Sequence, residues 1–93
     1  MTNFAPGRPA APNAEAVALQ ALAFIAQDAQ LLQRFLDLSG YMPDSLRANI
    51  GSPELNLAVL DFLLGHEPDL LAFCEDAGLP PDAPGAARRS IAD

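Results

Sequence analysis

The chain has one histidine, His66, and it stands beside Glu67 and Asp69. An imidazole with carboxylates in reach is a minimal kit for moving a proton or holding a cation. Acid–base chemistry also needs a pocket that brings a substrate to the ring, and the local sequence shows none. The two acids have a simpler reason to be there: Glu67-Pro68-Asp69 opens a helix, whose N-terminal dipole favours negative charge. Cys74 is the only thiol, so no intramolecular disulfide can form. It falls among Leu70, Phe73 and Ala77 with no base beside it to activate it, which predicts a buried, inert cysteine. Glu75 and Asp76 join Glu67 and Asp69 in an acidic patch. A solvated helix surface accounts for that patch; an arginine-rich partner or a cation is the alternative. Calcium-loop spacing, zinc-ligand spacing, a glycine-rich phosphate loop and a nucleophile motif are all missing from the sequence. The residues therefore nominate no catalytic group, no metal ligand and no cofactor.

Composition narrows the partners. The 93 residues carry 12 acidic and 5 basic side chains, net −7, and every basic residue is arginine. Such a surface repels phosphate backbones and anionic lipid, so neither nucleic acid nor a membrane is expected as partner. The turn Ser39–Asp44 joins two helices as a helix-turn-helix would, but the segment Asp44 to Ile50 offers only Arg47 and Asn49 to a groove. The longest uncharged run, Ala16 to Gln27, is far short of the ~20 residues that cross a bilayer. As a signal peptide it would need a basic leader, whereas residues 1–13 hold Pro6, Pro9 and Pro12 and the single cation Arg8. A cytoplasmic protein is expected, with the reducing conditions that suit one free thiol.

The elements that must position these residues are helices. Residues 1–13 lack periodicity and read as a mobile tail. Asn13 caps a helix from Ala14 to about Gln27, and Asp28 caps a second that stops before Gly40. The second is amphipathic, with Leu31, Leu32, Phe35 and Leu36 opposite Gln30, Gln33, Arg34 and Asp37. A short third helix starts at Pro43 and ends near Ile50. Ser52-Pro53-Glu54 is a cap, a proline at the first position and an acid, opening a fourth helix that runs to Leu64. A fifth follows from Glu67 to Gly78. The segment 80–93, rich in Pro and Gly at its start, forms a short terminal helix or frays. No stretch alternates with period two. The prediction is an all-α protein: a compact bundle of five or six short helices, with the helical domain over residues 14–79.

Sliding the sequence by 38 residues places Leu19 on Leu57, Leu22 on Leu60, Phe24 on Phe62, Phe35 on Phe73, Gly40 on Gly78 and Pro43 on Pro81. Two copies closing on each other would make a pseudo-twofold bundle; chance matching of two Leu/Phe-rich hairpins is the alternative. Pro84 and Gly85 replace Leu46 and Arg47 in the second copy, so the third helix is expected to be better formed than its C-terminal counterpart. The first and fourth helices are apolar nearly all round. One face holds Ala18, Leu19, Leu22, Ile25 and Ala26 in the first helix, and Leu57, Leu60, Leu63 and Leu64 in the fourth. The other holds Val17, Ala21 and Phe24, and Leu55, Val59 and Phe62. Either these two helices pack together between the second and fifth, or the second face is exposed and binds a protein partner or another copy of the chain. In the packed case Phe62→Ala costs about 3–5 kcal/mol.

Three strings, ALQALAFIAQD at 18–28, RFLDLSGYMPDSLR at 34–47 and VLDFLLGHEPDLLAFCEDAGLPPDA at 59–83, carry a family resemblance. The chain from about Ala14 to Asp82 resembles the small alphaproteobacterial domain-of-unknown-function family 3572. Met42 departs from the polar residue expected before Pro43, so the third helix should start loosely. The resemblance implies a compact helical protein of the bacterial cytoplasm and brings no activity, catalytic residue or ligand. The sequence thus reads as a protein–protein interaction module or homo-oligomer. The alternative is a small-ligand protein or enzyme using His66 and its neighbouring carboxylates.

Overall fold

The computed structural model of the chain describes residues 13–92. Six helices follow one another: α1 (Ala14–Ala26), α2 (Ala29–Ser39), α3 (Pro43–Ala48), α4 (Pro53–Leu64), α5 (Glu67–Ala77) and α6 (Ala83–Ala92). No strand is found among the described residues, and the bundle is all-α. The expected tail at 1–13 lies outside the described residues apart from Asn13.

Local chemistry sets the helix ends. The Asn13 side chain accepts from the backbone N–H groups of Glu15 at 2.9 Å and Ala16 at 3.1 Å. Asp28 does the same for Gln30 and Leu31, and the Ser52 hydroxyl accepts from Leu55 N–H at 3.1 Å. These caps satisfy donors that the first helical turn leaves orphaned. Gly40 and Gly78 close α2 and α5 with φ of +81° and +69°, a left-handed conformation that costs a side-chain-bearing residue ~1–2 kcal/mol. Met42 offers α3 no side-chain oxygen; the Ser45 hydroxyl instead accepts from the Met42 N–H at 3.0 Å.

α1 and α4 pack on each other, with α2 against α1 and α5 against α4. The most extensive helix contacts, however, are those of α6, which lies against both α1 and α4. Here the sequence expectation fails. α6 spans ten residues and buries Pro84 and Ala87, whereas α3 spans six and buries none. The proline stands in the first turn, where its missing N–H removes no helical bond. The small side chains of Ala83, Ala86 and Ala87 favour a helix and let it approach its neighbours closely.

The two apolar faces expected on α1 and α4 turn out to be the edges of one buried stripe. α1 buries Val17, Ala18, Ala21 and Ile25; α4 buries Leu55, Asn56, Val59, Leu60 and Leu63. Leu19 and Leu64 fall outside it and are exposed. Phe35 and Phe73 are the largest fully buried side chains. Each meets a half-buried phenylalanine edge to face: Phe24 with Phe73 at 5.6 Å between ring centroids, and Phe62 with Phe35 at 5.4 Å. Because Phe62 keeps part of its ring in water, its truncation should cost less than the 3–5 kcal/mol of a fully buried ring (about that range for large-to-small changes).

Candidate functional site

The six residues nominated as an interaction face are placed together, but inward. Val17, Ala21, Leu55 and Val59 are at most 1% exposed, and Phe24 and Phe62 are half-buried against the core. A partner could reach the first four only by opening the bundle. In this fold they hold α1, α4 and α6 together, and of the six only the two phenylalanines meet solvent.

Phe62 leads to a different feature. Beside it, α2 and α4 leave an apolar groove of about 440 Å³, floored by Phe35, Ala58 and Phe62 and edged by Leu38. The methyl group of Ala58 is too small to fill the space between the two rings' helices. Leu38, on the last turn of α2, is 73% exposed, far above what a leucine with an internal role shows. One turn earlier on the same helix stands Arg34, and across the groove at the α4–α5 turn stands His66; both line it.

The histidine does have a carboxylate partner. Asp69 is the more buried member of a three-residue cluster, and one of its oxygens, Oδ2, takes two bonds. Arg34 Nη1 donates to it at 3.0 Å and His66 Nδ1 lies 2.7 Å away. A carboxylate accepts, so this contact puts the imidazole proton on Nδ1 and leaves Nε2 to other partners. Glu67 is exposed and takes no part in the cluster. Asp61, in the groove wall, is held by Arg88 of α6 through two guanidinium nitrogens, which raises the arginine pKa further. Both ion pairs are solvent-exposed, so neither adds much to the fold.

Cys74 lies elsewhere, buried on α5, as its apolar neighbours predict. Burial pushes its thiol pKa up, with Asp82 adding to the shift, which keeps it protonated and unreactive. No group of three or more His, Cys, Asp or Glu side chains among the described residues could hold a metal ion. No helix among them is long and apolar enough to cross a membrane.

The sequence reading missed two features. The groove forms between α2 and α4, which no local pattern encodes, and Leu38, one turn from Phe35 on the apolar side of α2, carries no local sign of its exposure. The other is Asn56, 4% exposed in the middle of the α4 stripe, with no side-chain hydrogen bond to another described residue. A lone amide between Leu55 and Leu57 reads locally as a surface position, and only the packing of α4 shows otherwise.

A family described as protein of unknown function (DUF3572) matches residues 11–93. No curated protein and no solved structure matches the chain.

Proposed function

We propose that this chain, which belongs to the family of proteins of unknown function DUF3572, is a protein–protein interaction module that docks its partner in the α2–α4 groove. The observation that carries the reading is Leu38, an exposed leucine at the lip of an apolar groove whose floor is aromatic. Groove docking by one bulky apolar side chain is a recurrent way for small helical domains to bind a partner segment. Charge favours a partner that is basic outside that anchor. Arg34, Arg47 and Arg88 are engaged by acids of this chain, and the net charge of −7 leaves an excess of carboxylates. A cytoplasmic location accords with the free thiol and belongs to the same proposal.

The test is affinity co-purification of the tagged protein from its native cells, run beside Leu38→Glu. Leu38 is exposed enough that the variant keeps its helical circular dichroism. A stoichiometric partner that is lost from the variant, and that crosslinks to the groove in the native protein, supports the reading. A partner retained by the folded variant overturns it. Sedimentation of the purified chain separates a foreign partner from a second copy. Phe24→Glu is the wrong probe, since Phe24 packs on Phe73 and its loss perturbs the core.

A second reading, a small-ligand protein or enzyme built on His66 and its carboxylate neighbours, is favoured by the bond between His66 and Asp69 at the groove rim. A ligand that raises the melting temperature of the native protein but not of His66→Ala would support it.

A further inference from the structure

We infer that the groove captures the C-terminal carboxylate of a partner segment whose last residue carries a bulky apolar side chain. The inference rests on the interaction reading above and adds what the partner must present.

Hydrogen-bonding capacity at the charged end of the groove points this way. The acids there are already ion-paired: Asp69 Oδ2 takes Arg34 and His66, and Asp61 takes Arg88 with both oxygens. The donors are not spent. Arg34 gives its hydrogen bond to Asp69 through Nη1 alone, one nitrogen of a guanidinium that carries five N–H donors, and its side chain is 49% exposed. His66 uses only Nδ1 in its contact with Asp69 and lines the groove beside Arg34. What the unused guanidinium nitrogens of Arg34 can still bind is an acceptor, and best a charged one.

The distribution of charge agrees. The protein carries 12 acids against 5 arginines. Arg34 and the sole histidine nevertheless line the groove, and Arg88 pairs with Asp61, the acid in its wall. A carboxylate meets here a half-exposed guanidinium whose neighbouring acids are already ion-paired. The spacing is right for one residue to satisfy both parts, because Arg34 adjoins Phe35 and lies one helical turn before Leu38. A volume of about 440 Å³ suits a single large side chain rather than a whole helix face.

The fold itself does not need this cluster. Helix ends recur 38 residues apart, at Ala26 and Leu64 and at Ser39 and Ala77, and the aromatic contacts are reciprocal: Phe24 meets Phe73 as Phe62 meets Phe35. At the same separation, Arg34, Asp61, His66 and Asp69 correspond to Ala72, Ala23, Asp28 and Leu31. One half of the bundle builds the same aromatic contact with none of these charged groups in place. The aromatic contact therefore does not require them, and recognition of an outside group gives them a role beyond their ion pairs.

The test titrates the full-length, isotope-labelled chain with the peptide acetyl-Arg-Ala-Leu-Phe as free acid, with the same peptide as C-terminal amide, and with 4-phenylbutyrate. The free acid should move the backbone resonances of Phe35, Leu38, Ala58 and Phe62 and bind roughly tenfold or more tightly than the amide, as loss of a charge-assisted bond implies. Arg34→Gln should abolish that preference. Asp69→Asn breaks the same ion pair but frees the guanidinium, so it should keep or strengthen the preference. Equal binding of acid and amide, no effect of Arg34→Gln, or no binding by any probe overturns the carboxylate inference. The interaction reading is then judged separately, by the Leu38→Glu co-purification. If 4-phenylbutyrate binds as tightly as the peptide acid, the site reads small acids and the assignment to a chain terminus fails.

Discussion

Cys74 shows how far one side chain's chemistry is set by its surroundings. Its thiol is buried and its pKa is raised, first by desolvation and then by the charge of Asp82. A group that ionises less readily in the folded state makes stability fall as pH rises. That contribution is intact below the ordinary thiol pKa of about 8.5 and is lost as pH climbs from there through the raised value. Denaturant melts between pH 8 and pH 10 should therefore show an alkaline decline that is shallower in Cys74→Ala, whatever the baseline cost of the smaller side chain. The same burial predicts that iodoacetamide labels Cys74 slowly in the native protein and readily in urea. Asn56 is the opposite case, a polar group whose burial is not offset by a described partner. It marks the point where the α4 stripe departs from an apolar seam.

At the scale of elements, the caps and stops were readable because each is a local event. Asn13, Asp28, Ser52, Gly40 and Gly78 act within a few residues of themselves, and the structure uses all five as the sequence suggests. α6 was underrated because propensity was weighed without packing. Pro84 and Gly85 look like breakers, yet the first occupies a tolerant position and the second lies in a helix held from outside by α1 and α4. Gly85 does not need a positive φ, and a Cβ there would meet nothing closer than Arg89 Nη1 at 3.6 Å, an ordinary contact. Gly85→Ala should therefore stabilise the protein by about 0.5–1 kcal/mol, the usual difference between these residues inside a helix. Urea midpoints of the two proteins check it, and a variant no more stable than the parent would mean that α6 bends at this residue.

At the scale of the whole molecule, α6 belongs to the core. Its buried Pro84 and Ala87 sit against the two central helices, and Arg88 ties it to Asp61 of α4. Ending the chain after Pro80 would strip cover from the α1–α4 seam and should unfold the bundle or leave it a loosely packed state. Near-ultraviolet dichroism and dye binding would report this; a truncated chain that melts cooperatively near the parent temperature would show α6 to be dispensable. α6 also reaches the groove wall through Arg88 and Asp61, so the core and the proposed docking surface share an element.

The sequence by itself determined the helical class, the chain reversals up to Gly78, the amphipathic face of α2 and the inert surroundings of Cys74. Each of these depends on neighbours one or two turns away. Tertiary structure alone decided which sides of α1 and α4 meet, and so turned Val17, Ala21, Leu55 and Val59 from a candidate docking face into core. A helix apolar nearly all round does not encode which stripe is buried; that depends on where α6 lands. The groove has the same origin. Arg34 and Asp69 are 35 residues apart, and only the packing of α2 beside α4 and α5 brings them to one carboxylate oxygen with His66.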